Sequence, residues 1–168
     1  MLPHDRLTAP LDFAGWTSSI RPQLAPPVGN KLLYGGGHKV MVVGGPNARA
    51  DYHIEVGEEL FLQLEGDMVL ETMERGVPRA MRIPEGHLFC LPARVPHSPQ
   101  RLAGTVGLVI ERDRLAGSMD GLRWYARDGS GRVLYEEWFH CSDLGTQLKP
   151  VIERFMASEC YRTGVPDR

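Results

Sequence analysis

Between residues 38 and 111 the chain reads as seven short β-rich runs, HKVMVVGG, DYHIEV, EELFLQLEG, DMVLETM, VPRAMRI, HLFCLP and TVGLVIER. Turn residues cut them at roughly 8–12-residue spacing. Runs this short cannot bury a core singly, so they have to pack as a sandwich or close into a small barrel. The 19 glycines and 13 prolines among 168 residues supply the turns. In EELFLQLEG the leucines fall on one face and Glu59, Phe61, Gln63 and Glu65 on the other, because successive side chains of a strand alternate. A carboxylate therefore shares a face with an aromatic ring. Two later runs, LRWYAR and RVLYEEWF, also read as strands. Helices are expected near both ends, one over residues 11–20 stopped by Pro22, the other over 151–157 with Pro150 at its start. The expected fold is an all-β barrel with short terminal helical segments, in one domain over residues 1–168. It divides into an N-terminal arm and loop (1–37), a barrel core (38–111), and C-terminal strands and helix (112–168).

Nineteen Lys and Arg against 21 Asp and Glu give a formal charge of −2, so there is no sequence-wide basic field. Neither nucleic acid nor a membrane surface is expected as partner. Cys90, Cys141 and Cys160 are an odd, sparse set without a CxxC pair, which indicates neither a disulfide framework nor a Cys-rich zinc site. A reducing cytoplasm is the expected compartment. The first residues lack the pattern of a signal peptide, and no run of about 18 apolar residues occurs. The tail from Tyr161 to Arg168 is expected to be loosely ordered.

The chemistry concentrates in the β-rich centre. His53 ends one run, Glu59 opens the next and His97 lies on a later one, and in a barrel the three can converge. Two imidazoles and one carboxylate on one face of an octahedral metal leave up to three positions open. Such a set favours non-haem Fe(II), while Mn, Ni or Zn could use the same ligands. Arg49 precedes His53 by four residues, and Arg101 follows His97 by four, so on extended backbone each Arg points to the side of its His. Two guanidiniums suit a carboxylate. Glu111 ends the apolar run 106–110, where it could accept a hydrogen bond or a proton from a phenol or amine. Plainer readings stand beside these. Glu55 and Glu58 read as solvated strand neighbours, although either could substitute as a ligand. Glu111 with Arg112 and Arg114 could be a solvated charge run, and Asn30 after Gly29 a turn residue. His87 and Cys90 read as part of a buried strand. His140 and Cys141, adjacent in sequence, would point to opposite faces.

The spacing from Gly45 through His53 and Glu59 to Gly66, with Gly86, Pro92 and His97 after it, resembles the two motifs of the cupin family. The chain departs from the first motif at Glu55, where the second histidine of H-x-H would stand. A more specific resemblance runs from PPVGN at 26–30 to about residue 125. GGPNARADYH, EELFLQLEG, LPARVPHSPQR, LVIER and DGLRWY are similar to the 3-hydroxyanthranilate 3,4-dioxygenase family. That resemblance implies a double-stranded β-helix, or jelly-roll, barrel. It implies one Fe(II) per chain on His53, Glu59 and His97, with O₂ as co-substrate. It further implies a substrate set of Arg49, Arg101, Glu111 and Asn30, in which Arg49 and Glu111 are catalytic and Asn30 sits in a loop near the entrance. The partner would be a small aromatic acid, and a homodimer is the expected assembly. Bacterial members carry two C-terminal CxxC pairs for a second, rubredoxin-like iron. This chain lacks the pairs, so no second iron site is expected. A divergent member could act on a substituted anthranilate or an aminophenol in a specialised pathway, and a non-catalytic small-acid-binding cupin is the alternative from another class.

Overall fold

A computed structural model of the chain describes residues 10–24, 29–47 and 49–166. Among them are two antiparallel sheets. The first orders its strands β1 (Gly29–Tyr34), β2 (His38–Gly44), β9 (Val106–Arg112), β4 (Glu59–Glu65) and β7 (Leu88–Leu91). The second runs β11 (Val133–Phe139), β10 (Asp120–Tyr125), β3 (Tyr52–Ile54), β8 (His97–Arg101), β5 (Met68–Glu74) and β6 (Val77–Ile83). All seven runs of the β-rich centre are strands, as are the two that follow it. Their period-2 patterns fill the space between the sheets: Met41, Phe61 and Val109 from the first meet Met68, Leu70 and Ile83 from the second. On β4 the buried residues are Glu59, Phe61 and Gln63, the face expected from the alternation. At the edge, β6 is exposed at every position but Ile83, and its Pro78, Arg79 and Arg82 discourage pairing with another strand.

Several boundaries differ from the sequence reading. Residues 29–34, read as the end of an arm, pair with β2 from Gly29↔Gly44 onward, so Asn30 lies on a strand opposite Val43 and not in a loop. The segment HSPQR is a strand of its own, because β8 pairs with both β3 and β5. His87 and Cys90 are exposed and not buried, since β7 forms the edge of its sheet.

Helix α1 (Phe13–Ile20) begins at Asp12, whose Oδ1 accepts from the Gly15 amide at 3.0 Å. It seats Ile20, with Leu24, on Val42 and Val106. Helix α2 (Leu144–Ala157) starts a turn and a half before Pro150, which lies inside it. Gln147 Oε1 accepts from the amides of Ser142 and Asp143, both at 2.7 Å, and this side-chain cap sets the earlier start. The stripe Leu148, Val151, Phe155 packs on Leu122, Trp124 and Leu134, with Phe155 stacked on Trp124 at a centroid distance of 4.2 Å. Part of the expected loose tail is helix α3 (Glu159–Thr163), capped by Ser158 and ended by Gly164 in the left-handed conformation. Among the described residues no helix is long and apolar enough to cross a membrane.

Candidate metal centre and substrate pocket

Two cross-strand pairs, one from each sheet, build the site. His53 on β3 is directly opposite His97 on β8. Glu59 on β4 is directly opposite Glu111 on β9. Because the sheets pack face to face, the two histidines meet the two glutamates between them. Nitrogens of His53 and His97 and a Glu59 oxygen lie within 4.8 Å of one another, and all three residues are buried. Glu59 Oε1 is 2.9 Å from His97 Nε2 and 3.6 Å from His53 Nδ1, and the oxygen is buried without a hydrogen-bond partner among the described residues. An orphaned carboxylate oxygen between two imidazoles is costly unless a cation completes it. The donor set, two borderline nitrogens and a hard oxygen, fits a divalent transition metal.

The surrounding charges are ordered by their neighbours. Burial alone would push the His53 pKa down, but the Asp120 and Glu59 carboxylates outweigh it and raise it to about 9. Burial would raise that of Glu59, yet His97 and His53 hold it well below the usual carboxylate range. His53 donates from Nε2 to Asp120 Oδ2 at 2.8 Å, and His97 Nδ1 is tied to the Val95 carbonyl at 3.0 Å. Each ring thus has one nitrogen held from behind and one facing Glu59.

A pocket opens in front of these residues. Asn30, Arg49, Arg101 and Glu111 all line it, together with Met41, Val43, Phe61 and Val109. Leu144 and Leu148 of α2 complete the wall. Arg101 has 4% of its surface exposed, and burial lowers its pKa to about 10. Its Nη1 donates to Gln63 Oε1 at 3.1 Å, and among the described residues no carboxylate pairs with it. Gly107 makes the room: a Cβ there would meet Arg101 Nη1 at 2.6 Å. Arg49 instead pairs with Asp51 through Nε and Nη2, so its charge is half-committed.

Two side chains read as solvated are buried. Glu55 is 2% exposed, and the Arg114 side chain 1%. Arg114 forms ion pairs with Asp120 at 2.7 Å and with Glu111, and its Nη2 lies 3.1 Å from Glu55 Oε2. Burial, with Glu59 and Glu111 alongside, pushes the Glu55 pKa up to about 11 against the pull of Arg114. Glu58 is exposed, as expected. Asp120 and Gly107 were not singled out from the sequence, where Gln63 was placed only on the face of Glu59 and Arg114 only in a charge run. Asp120 carried a signal there as the polar residue opening the run DGLRWY.

A jelly-roll barrel with two histidines and a glutamate gathered between its sheets is a cupin. The 3-hydroxyanthranilic acid dioxygenase family model matches residues 6–156. The chain is 58% identical over 152 residues to the 3-hydroxyanthranilate 3,4-dioxygenase of Mus musculus, covering 90% of this chain and 53% of that protein. It is 57% identical over 156 residues to that of Homo sapiens (93% and 54%) and 53% over 154 residues to that of Nematostella vectensis (91% and 56%). The chain belongs to the 3-hydroxyanthranilic acid dioxygenase family. It spans about half the length of the curated relatives it matches.

Proposed function

We propose that this chain cleaves the ring of 3-hydroxyanthranilate with O₂, using one Fe(II) held by His53, Glu59 and His97. The product is 2-amino-3-carboxymuconate semialdehyde, which closes to quinolinate without an enzyme. The observation that carries the reading is Arg101: a buried guanidinium without a carboxylate partner among the described residues, in the wall of a pocket that also holds the two histidines and Glu59. A small aromatic acid supplies the missing anion and the flat apolar body.

In this reading Arg101 takes the substrate carboxylate, and Arg49 shares it with the Nη1 that its pairing with Asp51 leaves over. That grip sets the ring's orientation before reaction, which is where much of the rate gain arises. Phe61, Met41, Val43 and Val109 flank the ring and exclude water, which strengthens each charged contact inside. Glu111 has an Oε2 that is buried without a hydrogen-bond partner, free to accept from the substrate's hydroxyl or amino group and to hold its proton. Asn30 lines the same pocket from β1. Bound iron would supply open coordination positions and the redox chemistry that joins substrate and O₂. The cytoplasm and a homodimeric assembly belong to the same proposal.

The test loads the purified chain anaerobically with Fe(II), adds 3-hydroxyanthranilate and O₂, and follows product absorbance and oxygen uptake. The reading expects one O₂ consumed per substrate. Turnover of only a ring-substituted analogue would move the assignment to that substrate. Binding of the acids without oxygen uptake would make the chain a non-catalytic binder. Sedimentation of the same protein checks the dimer.

A further inference from the structure

We propose that Asp120 and Arg114 are positioning residues of the metal centre: Asp120 holds the proton of His53 on Nε2, leaving Nδ1 for the metal, and Arg114 fixes that carboxylate and Glu111 together. The inference rests on the metal reading given above and extends it to residues outside the ligand set.

Asp120 opens β10, which pairs with β3 in the register Leu122↔His53. Two residues from Leu122, it lies on the same face as His53 and reaches it diagonally. It is fully buried. Oδ2 accepts from His53 Nε2 at 2.8 Å and from Arg114 Nη2 at 2.7 Å, with Arg114 Nε at 3.2 Å. A carboxylate so placed beside a guanidinium is an acceptor only, so the hydrogen shared with His53 belongs to Nε2. When a metal displaces the second proton, His53 presents its lone pair on Nδ1, the nitrogen 3.6 Å from Glu59 Oε1. Without Asp120 the ring could turn or take the other tautomer, and the ligand set would lose its order.

Arg114 extends this hold across the barrel. Its guanidinium bonds Asp120 behind the metal position through Nη2 and Glu111 in the pocket wall through Nη1. One rigid planar fork thereby sets the spacing between the metal side and the acid that faces substrate. A lysine, a point charge on a flexible stem, cannot satisfy Asp120 and Glu111 at once.

The experiment measures Co(II) affinity and the cobalt absorption spectrum of the full chain, apart from any turnover. Asp120→Ala is expected to weaken Co(II) binding by about 10- to 100-fold, in the range of lost outer-shell partners. Asp120→Asn, which can keep an oxygen at the Oδ2 position, is expected to recover most of that loss. Arg114→Lys is expected to change the cobalt spectrum and raise KM together. In the Zn(II)-loaded chain, ¹⁵N spectra of the imidazoles are expected to show His53 protonated on Nε2 and metal-bound through Nδ1. Where Asp120→Ala fails to fold, the Asn variant and the ¹⁵N assignment still decide. A proton on Nδ1, or a folded Asp120→Ala protein with Co(II) affinity within twofold of the parent, overturns the proposal. Failure of the parent itself to bind Co(II) overturns the metal reading and this inference with it.

Discussion

Glu59 and Glu111 are direct cross-strand partners on β4 and β9, two buried carboxylates at one rung of one sheet. Like charges at such a rung repel. The barrel answers each separately: His53 and His97 face Glu59, while Arg114 pairs with Glu111 and Lys39 Nζ stands 3.8 Å from it. One carboxylate is thereby turned toward the metal position and the other toward the pocket.

From the first arrangement, His53→Ala, Glu59→Ala and His97→Ala should each lower bound iron to less than about a tenth of one per chain and abolish ring cleavage, because each removes one of the three converging donors of the proposed site. Metal analysis by mass spectrometry checks this. Full iron and full turnover in one of the variants would remove that residue from the set.

Arg101→Ala should leave iron near one per chain while raising KM about 30-fold, as expected when a charged hydrogen bond worth about 2 kcal/mol is lost. Gly107→Ala should act in the same direction, since its Cβ would press on Arg101 Nη1. Steady-state kinetics on both variants give the answer, and an unchanged KM in Arg101→Ala would discard the carboxylate role.

The metal-free protein should lose stability as pH rises from about 6.5 to 9. His53 has its pKa raised from 6.5 to about 9 in the fold, so its contribution is fully present below 6.5 and is lost as pH climbs through 9. Glu55, raised from 4.5 to about 11, stays protonated in the fold where the unfolded chain would ionise, which adds a cost that grows with pH. The folded state thus holds more protons than the unfolded one, and each group contributes a slope of at most about 1.4 kcal/mol per pH unit. Glu59, held low, is ionised throughout this window and adds none. Thermal melts across the range test the sign, and a rising melting temperature would contradict it.

Chelation should stop catalysis yet leave the circular dichroism of the fold intact, because three apolar clusters pack without help from the metal site. Two tightly held irons per chain, or global unfolding on chelation, would refute this.

Phe155→Ala should destabilise by about 3–5 kcal/mol, the usual result of removing a stacked, buried ring. Met156→Ala, at a position 52% exposed, should change little. Denaturant titration distinguishes the two. Trp124, Leu148 and Val151, with Phe155, hold the C-terminal helix, while Trp138 is 41% exposed.

What the sequence by itself determined was local and periodic. The alternation in ELFLQLE placed Glu59 inward with Phe61, and the turn-bounded runs located nine strands, since both signals depend only on neighbouring residues. The convergence of His53, Glu59 and His97 was legible from motif spacing. The tertiary structure decided which charges are buried. Nothing within R-D-R at 112–114 distinguishes an exposed arginine from one enclosed by Glu55, Glu111 and Asp120: Glu111 is three residues away in sequence, but Glu55 follows β3 and Asp120 opens β10, and only the packing of those strands brings them to Arg114. Glu55 read as solvated for the same reason: its burial is set by what packs over it, and once buried beside Glu59 and Glu111 it is held protonated instead of charged.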